Sequence, residues 1–265
     1  MPPDQLREAS HTKPMLNFSW FKQSWSQPRA YPPAPDGLTI FAVGDIHGRS
    51  DLLSALHQRI DEQSADIPLQ QTLEVYLGDY VDRGSDSAGV IDMLVERSET
   101  RNVVFIRGNH EELLCDFLED RITIDIWKAL GGIETLRSYG VSLKDLSNES
   151  ASRAALGRFR TLLPASHNMF FRSLRPCFQI GDYLFVHAGV KPGVALEQQS
   201  EKTMMWIRDE FLSYKGQFGY IIVHGHTPVA EPDLRPNRIN IDTGAYATNK
   251  LTCLRIDETG PSVLE

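Results

Sequence analysis

TIFAVGDIHG (39–48), LEVYLGDYVDRG (73–84) and VVFIRGNHE (103–111) share one construction: a short apolar run of strand length leads straight into a polar loop flanked by glycine. YLFVHAG (183–189) and YIIVHGHT (220–227) repeat it. Between the first three lie segments of helical period. SDLLSALHQRIDEQ (50–63) places Leu52, Leu53, Leu56 and Ile60 on one face, with Ser50 or Asp51 as the expected cap. SDSAGVIDMLVER (85–97) and HEELLCDFLED (110–120) supply the next two helices. Strand alternating with helix predicts βαβ units around a largely parallel sheet.

The rest of the chain is less regular. RINI (238–241) and KLTCLRI (250–256) are further strand candidates, and their spacing predicts a partly antiparallel second half. Residues 121–176 read as polar and helical, broken at Gly131-Gly132 and Gly140: an insert or cap beside the sheet. Residues 1–36 hold Pro2, Pro3, Pro14, Pro28, Pro32, Pro33 and Pro35 without a sustained period, which predicts a flexible Pro-rich tail whose Trp20, Phe21 and Trp25 can dock on the domain or a partner. A single α/β domain is expected over 37–265, with 121–176 inside it.

Composition narrows the function classes. The 265 residues are 41% hydrophobic and 23% charged, ordinary globular values that allow a sizeable core. A net charge of -8 disfavours general nucleic-acid binding, although bound cations would offset acids locally. No apolar run approaches the ~20 residues of a membrane helix, and the N-terminus has no apolar secretory core. Cys115, Cys177 and Cys253 form no CxxC pair and read as reduced thiols of a cytoplasmic protein.

The chemistry sits at the strand ends. In open α/β sheets, ligands bind where the loops at the carboxyl ends converge. Asp, His, Asn and Arg from five separate segments are therefore expected to meet. Carboxylate, imidazole and amide oxygen without thiolate suit Mn²⁺, Fe or Zn²⁺. Asp45 and His47 can share one ion, Asp79 can bridge two, and Asn109, His187 and His226 can complete the second. Paired cations roughly 3.5–4 Å apart clamp an in-line phosphoryl displacement and lower the pKa of a water toward ~7.

GDIHG, GDYVDRG, RGNHE, HAG and HGHT, in this order, resemble the signature set of the PPP-type phosphoprotein phosphatases within the metallophosphoesterase superfamily, from about Leu38 to Leu254. MMWIRDEFL (204–212), VHGHTPV (223–229) and NIDTGA (240–245) resemble small bacterial members, a group that contains serine/threonine phosphatases and symmetrical diadenosine tetraphosphate hydrolases. The resemblance implies a four-layer α/β/β/α sandwich of mixed sheets with flanking helices. It implies Asp45, His47 and Asp79 on the first cation, and Asp79, Asn109, His187 and His226 on the second. His110 is implied as the general acid, Asp82 as the carboxylate that orients it, and Arg83, Arg107 and Arg208 as phosphate clamps. Mn²⁺ is the first choice of cation, ahead of Fe and Zn²⁺.

One departure limits the carry-over. The SAPNY-type segment of eukaryotic members is absent; the region reads PDLRPNRINIDTGAYATN (232–249), so neither its substrate contacts nor a regulatory subunit is expected. Among nearby polar residues, His224 and Glu111 are expected to be structural, as are His57 and His167. Asp242 and Thr243 read as turn residues, and Tyr80 and Tyr246 can line the mouth. The expected function is serine/threonine phosphoprotein hydrolysis. The alternative is hydrolysis of dinucleoside polyphosphates or other small phosphoesters, and a metal-binding module without turnover ranks last.

Overall fold

A computed structural model describes residues 31–142 and 149–264. The strands are β1 (Thr39–Val43), β2 (Thr72–Tyr76), β3 (Val103–Phe105), β4 (Cys177–Ile180), β5 (Tyr183–Val186), β6 (Ile221–His224), β7 (Asp233–Arg235), β8 (Arg238–Asn240), β9 (Cys253–Asp257) and β10 (Gly260–Val263). The first sheet has the order β10-β9-β1-β2-β3 and the second β4-β5-β6-β8-β7. Each contains two parallel pairs: β1 with β2 and β2 with the edge strand β3, then β5 with β6 and β6 with β8. β9, β10, β4 and β7 pair antiparallel, so both sheets are mixed.

Side-chain alternation explains why the strands read as continuous apolar runs. On β1, Ile40 and Ala42 enter a core shared with Phe185, Val223 and Ile239 of the second sheet, while Phe41 and Val43 face the helices. Both faces are buried, so these positions favour apolar residues, and a charged one such as Glu74 of β2 needs a partner, here Arg97. The outer face of the second sheet, Leu184, Val186 and Ile222, is covered by Met204 and Phe211. The layers are therefore helix, sheet, sheet, helix, as the resemblance implies.

The helices over the first sheet are α1 (Ser50–Ser64), α2 (Ser87–Thr100), α3 (Asn109–Leu118), α4 (Ile124–Lys128), α5 (Gly132–Ser138), α6 (Glu149–Leu162) and α7 (Ala165–Ser173). α8 (Glu201–Trp206) and α9 (Asp209–Leu212) cover the second sheet, and α10 (Ala245–Thr248) precedes β9. The expected cap of α1 is not used: Arg49 holds the cap position without a side-chain capping bond, and Ser50 Oγ instead donates to Asp86 Oδ2 at 2.6 Å. Asp86 in turn caps α2 by accepting from Gly89 N at 3.0 Å.

The described residues of 121–176 are woven into the core. Trp127 of α4 is fully buried against Phe117 of α3 and Phe159 of α6, with ring centroids 4.8 and 5.9 Å away. The ring nitrogens of His167 (α7) reach Tyr139 Oη at 2.8 Å and Asp92 Oδ1 at 2.9 Å, tying α7 to the end of α5 and to α2. The stretch expected as a tail, with Trp20, Phe21 and Trp25, lies outside the described residues up to position 30. Its last residues pack on the domain: Ala34 N donates to Asp257 O at 2.8 Å, and Tyr183 Oη donates to Pro32 O at 2.5 Å. Among the described residues, no helix is long and apolar enough to cross a membrane.

Candidate active site

The loops after β1, β2, β3, β5 and β6 converge on one buried cluster, and backbone geometry marks it. Among the described residues, seven non-glycine positions have left-handed φ, and five lie here: His47 at 47°, Asp79 at 53°, Asp82 at 71°, Arg83 at 67° and His226 at 68°. Each such residue costs on the order of 1 kcal/mol or more that glycine would avoid. The chain keeps polar side chains at these bends because of their chemistry. Glycine is retained where atoms come too close. A Cβ on Gly225 would stand 2.0 Å from Asp45 Oδ1, and one on Gly108 would stand 2.2 Å from Asp79 Oδ1.

Hydrogen bonding sets the tautomers. His47 Nδ1 lies 2.8 Å from Val81 O, and His187 Nδ1 lies 2.9 Å from Leu77 O. A carbonyl only accepts, so both Nδ1 atoms carry the proton and both Nε2 atoms are bare in the neutral ring. The bare Nε2 of His47 lies 3.4 Å from Asp79 Oδ2. That of His187 lies 3.3 Å from Asp79 Oδ1 and 3.0 Å from Asn109 Oδ1. His226 Nδ1 is 2.9 Å from the same Asn109 oxygen. Burial holds the rings of His47 and His187 below the ordinary histidine pKa, and that of His226 down at about 3.

Between the bare Nε2 atoms of His47 and His187 and the oxygens of Asp79 and Asn109, lone pairs thus face lone pairs, an arrangement that calls for a cation between them. Asp45 adds to the demand. Its Oδ2 accepts the His226 amide at 3.0 Å, while its buried Oδ1 has no hydrogen-bond partner. Burial, then the charges of Asp242 and Asp79, push its carboxyl well above the usual carboxylate range. Potential ligand atoms of His47, Asp79 and His110 lie within 4.8 Å of one another, as do those of Asp79, His187 and His226. Asp79 is common to both sets. For Asp79 itself burial opposes ionisation, but the surrounding imidazoles, His187 first, hold its pKa below the ordinary value. The residues present therefore fit a pair of divalent cations.

Beside this cluster stands a histidine–carboxylate pair. His110 Nδ1 donates to Asp82 Oδ2 at 2.7 Å, leaving Nε2 facing the site. Burial disfavours the charged ring, but the Asp79 carboxylate and the Asp82 hydrogen bond outweigh it and raise the His110 pKa. Asp82 is fully buried and held from two further sides. Trp127 Nε1 donates to Oδ2 at 2.9 Å, and Thr135 Oγ1 donates to Oδ1 at 2.6 Å. Arg83 places NH1 3.1 Å from His47 Nε2 and NH2 3.0 Å from His110 Nε2. Arg208 Nε donates to His226 Nε2 at 3.1 Å. Both arginines thus bring positive charge to the edge of the acceptor cluster.

Of the expected residues, Asp45, His47, Asp79, Asn109, His187, His226, His110, Asp82, Arg83 and Arg208 are brought together. Arg107 stands apart: NH1 points to Glu201 at 3.8 Å, and the side chain lines a cleft along α3. Glu111 is structural. Its Oε2 accepts from Asp79 N at 2.9 Å and Gly108 N at 3.0 Å, and its Oε1 from Tyr80 N at 2.8 Å and Val81 N at 3.3 Å. His224 is buried at the floor of the second sheet and reaches Arg238, not the cluster.

Two residues escaped the sequence reading: Trp127 and Thr135 read there only as part of a polar helical segment. Asp242 is the turn residue expected, its Oδ1 accepting from Gly244 N at 2.9 Å; it is also buried near Asp45, and burial lifts its pKa to about 6. Tyr246, expected at the mouth, is there: its ring meets His47 edge-on with centroids 5.4 Å apart, and Arg83 Cζ lies 4.8 Å from its centroid.

Comparison with known proteins agrees with this geometry. Residues 38–255 match the calcineurin-like phosphoesterase family. The Bacillus velezensis bis(5'-nucleosyl)-tetraphosphatase PrpE [asymmetrical] is 29% identical over 236 residues, covering 82% of this chain and 88% of that protein. The solved structure of a candidate diadenosine tetraphosphatase superposes with a TM-score of 0.58 at 17% identity, covering 88% of this chain and 96% of the other. A cold-active protein-tyrosine phosphatase from Shewanella sp. gives 0.55 at 17%, covering 89% and 84%. At such identities the two structures establish likeness of fold. With its metal-fitting cluster and a family match across most of its length, the chain belongs to the calcineurin-like phosphoesterases, and it is a metal-dependent hydrolase of phosphoric esters.

Proposed function

We propose that the protein hydrolyses dinucleoside polyphosphates, with a tetraphosphate such as diadenosine tetraphosphate as the type substrate. The observation that carries this reading is its similarity to the PrpE tetraphosphatases, which extends over 82% of the chain. It moves the small polyphosphate ahead of the phosphoprotein, which the motifs alone had placed first. The protein phosphatases among the structural neighbours share 15–17% identity, and their likeness speaks only for the fold.

The proposed roles draw on the clustering of these side chains. Asp45, His47 and Asp79 would hold one divalent cation, and Asp79, Asn109, His187 and His226 the other, with Mn²⁺ the proposed metal. Bound cations supply Lewis acidity and a water of lowered pKa. The side chains do the rest. Arg83 and Arg208 turn from the histidines to the phosphoryl oxygens, whose charge their forked donors match. His110, protonated and aligned by Asp82, donates its Nε2 proton to the departing oxygen.

The test is kcat/KM of the Mn²⁺-loaded protein for diadenosine tetraphosphate beside a phosphothreonine peptide. Asymmetric cleavage to ATP and AMP, at higher kcat/KM than peptide dephosphorylation, is expected. A preference for the peptide would overturn the substrate reading and leave the hydrolase chemistry intact.

A further inference from the structure

α3 carries Asn109 at its first turn, and along its flank an open cleft of about 560 Å³ runs between α3, α6 and α7. Four arginines from four segments line it: Arg107 before α3, Arg121 after it, Arg160 on α6 and Arg172 on α7. Glu119 is the one acid on the lining, in a chain whose net charge is -8. Leu118 and the buried ring of Phe171 make the walls partly apolar. A volume in the usual range for small-ligand sites, roughly 300–1,000 Å³, with apolar walls and a basic rim suits a ligand that is both aromatic and anionic. Guanidinium groups pair with phosphate oxygens and stack on flat rings.

The donors are not all committed. Arg172 makes a single long hydrogen bond, Nε to Asn168 Oδ1 at 3.4 Å. Arg107 Nε is buried without a hydrogen-bond partner. Arg160 uses Nε and NH2 on Leu118 O, at the end of α3. Arg121 pairs at the surface with Asp116 and Glu119.

Position connects the cleft to the site. Arg107 lies two residues before the proposed ligand Asn109, and Cys115, another lining residue, lies six residues after it. At 1.5 Å per helical residue, those six residues span roughly 9 Å along α3. The cleft thus runs along the helix whose first turn carries Asn109, and Arg107, two residues before that turn, is one of its walls.

We infer that this cleft is the subsite for the nucleotide remote from the attacked phosphorus. The inference rests on the proposed dinucleoside polyphosphate activity and assigns where the second half of such a substrate is held. The site binds a nucleoside phosphate: Arg107, Arg121 and Arg172 take the phosphates, and the wall at the partly exposed Leu118 and Leu163 takes the base.

The test uses Arg172→Glu and Arg121→Glu in the full-length, Mn²⁺-loaded protein, since both side chains are exposed and neither touches the metal-fitting cluster. KM for diadenosine tetraphosphate is expected to rise by about tenfold or more in each, the usual worth of a charge-assisted contact. kcat/KM for p-nitrophenyl phosphate, which is too short to reach the cleft, should stay within about twofold. Unchanged KM for the dinucleotide, or equal losses on both substrates, overturns the subsite. If the wild type does not cleave diadenosine tetraphosphate at all, the substrate reading has failed, and calorimetric titration of ATP into the metal-free protein decides the cleft alone. Binding that Arg172→Glu weakens by about tenfold keeps it as a nucleotide site, and no binding by the wild type removes it.

Discussion

Replacing Glu111 by Gln tests the physical basis of the site without touching any proposed ligand. The carboxylate is fully buried and accepts four backbone amides, from Asp79, Gly108, Tyr80 and Val81, at 2.9, 3.0, 2.8 and 3.3 Å. These amides belong to the two loops that present Asp79 and Asn109. Gln is nearly isosteric, but one oxygen becomes an NH₂ group, which can only donate. Two amides keep an acceptor, and the other two face a donor. A buried donor left unsatisfied costs about 1–3 kcal/mol, so the loss is about 2–6 kcal/mol. A domain of this size loses about 2–4 °C of Tm per kcal/mol, which gives a fall on the order of 10 °C. Metal affinity should fall as well, because the loop holding Asp79 is no longer pinned to the one holding Asn109. Thermal melts of the chelated protein, followed by Mn²⁺ titration, measure both. A Tm within about 2 °C of wild type with unaltered Mn²⁺ affinity would refute the claim that four amides meet on one carboxylate.

Three further perturbations probe other links. His110→Asn should retain its metal content and slow hydrolysis of alkyl phosphomonoesters by ~10²–10⁴-fold; p-nitrophenyl phosphate and the dinucleotide, whose leaving groups need a proton less, should suffer less, and loss of metal on elemental analysis would contradict its role as acid. Trp127→Phe keeps the ring packing but removes the 2.9 Å bond to Asp82, so a loss of about 1.5–3 kcal/mol in stability with a lower kcat is expected; an unchanged Tm and kcat would show that Asp82 needs no such support. His57 is buried on α1 with Nε2 2.8 Å from Tyr76 Oη, and burial, then Arg97, lowers its pKa to about 4. The unfolded chain takes that proton first, so stability is full above pH ~6.5 and is lost as pH falls toward 4, by roughly 3 kcal/mol at most. Urea unfolding between pH 4 and 7 should show a shallower slope for His57→Leu than for wild type, and identical slopes would exclude this ring as the source.

Much of the architecture was legible because strands buried on both faces are largely apolar, Glu74 with its Arg97 partner apart: TIFAV, LEVYL, YLFV and YIIV became, or contain, inner strands, and VVFI, at the edge of the first sheet, has Val104 and Phe105 buried and reads the same way. β4, β7 and β10 were missed because CFQI, DLR and GPSV are short, half-exposed edge segments, where neither face demands an apolar run.

The same division holds at the site. Which side chains end the strands, and how closely they follow, is a local property of turns and two-residue periods, and it stood in the chain itself for Asp45, His47, Asp79, Asn109, His187 and His226. What surrounds them is set by meetings across long separations. Trp127 and Thr135 reach Asp82 from 45 and 53 positions away, and no local pattern encodes such an encounter. The carbonyls of Val81 and Leu77 choose the tautomers of His47 and His187, and packing against α8 sends Arg107 toward Glu201 and away from the clustered histidines. Residue type and spacing decide which groups can act, because they operate over a few bonds. Protonation, orientation and partnership belong to the folded molecule, because they depend on which distant atoms share a buried volume.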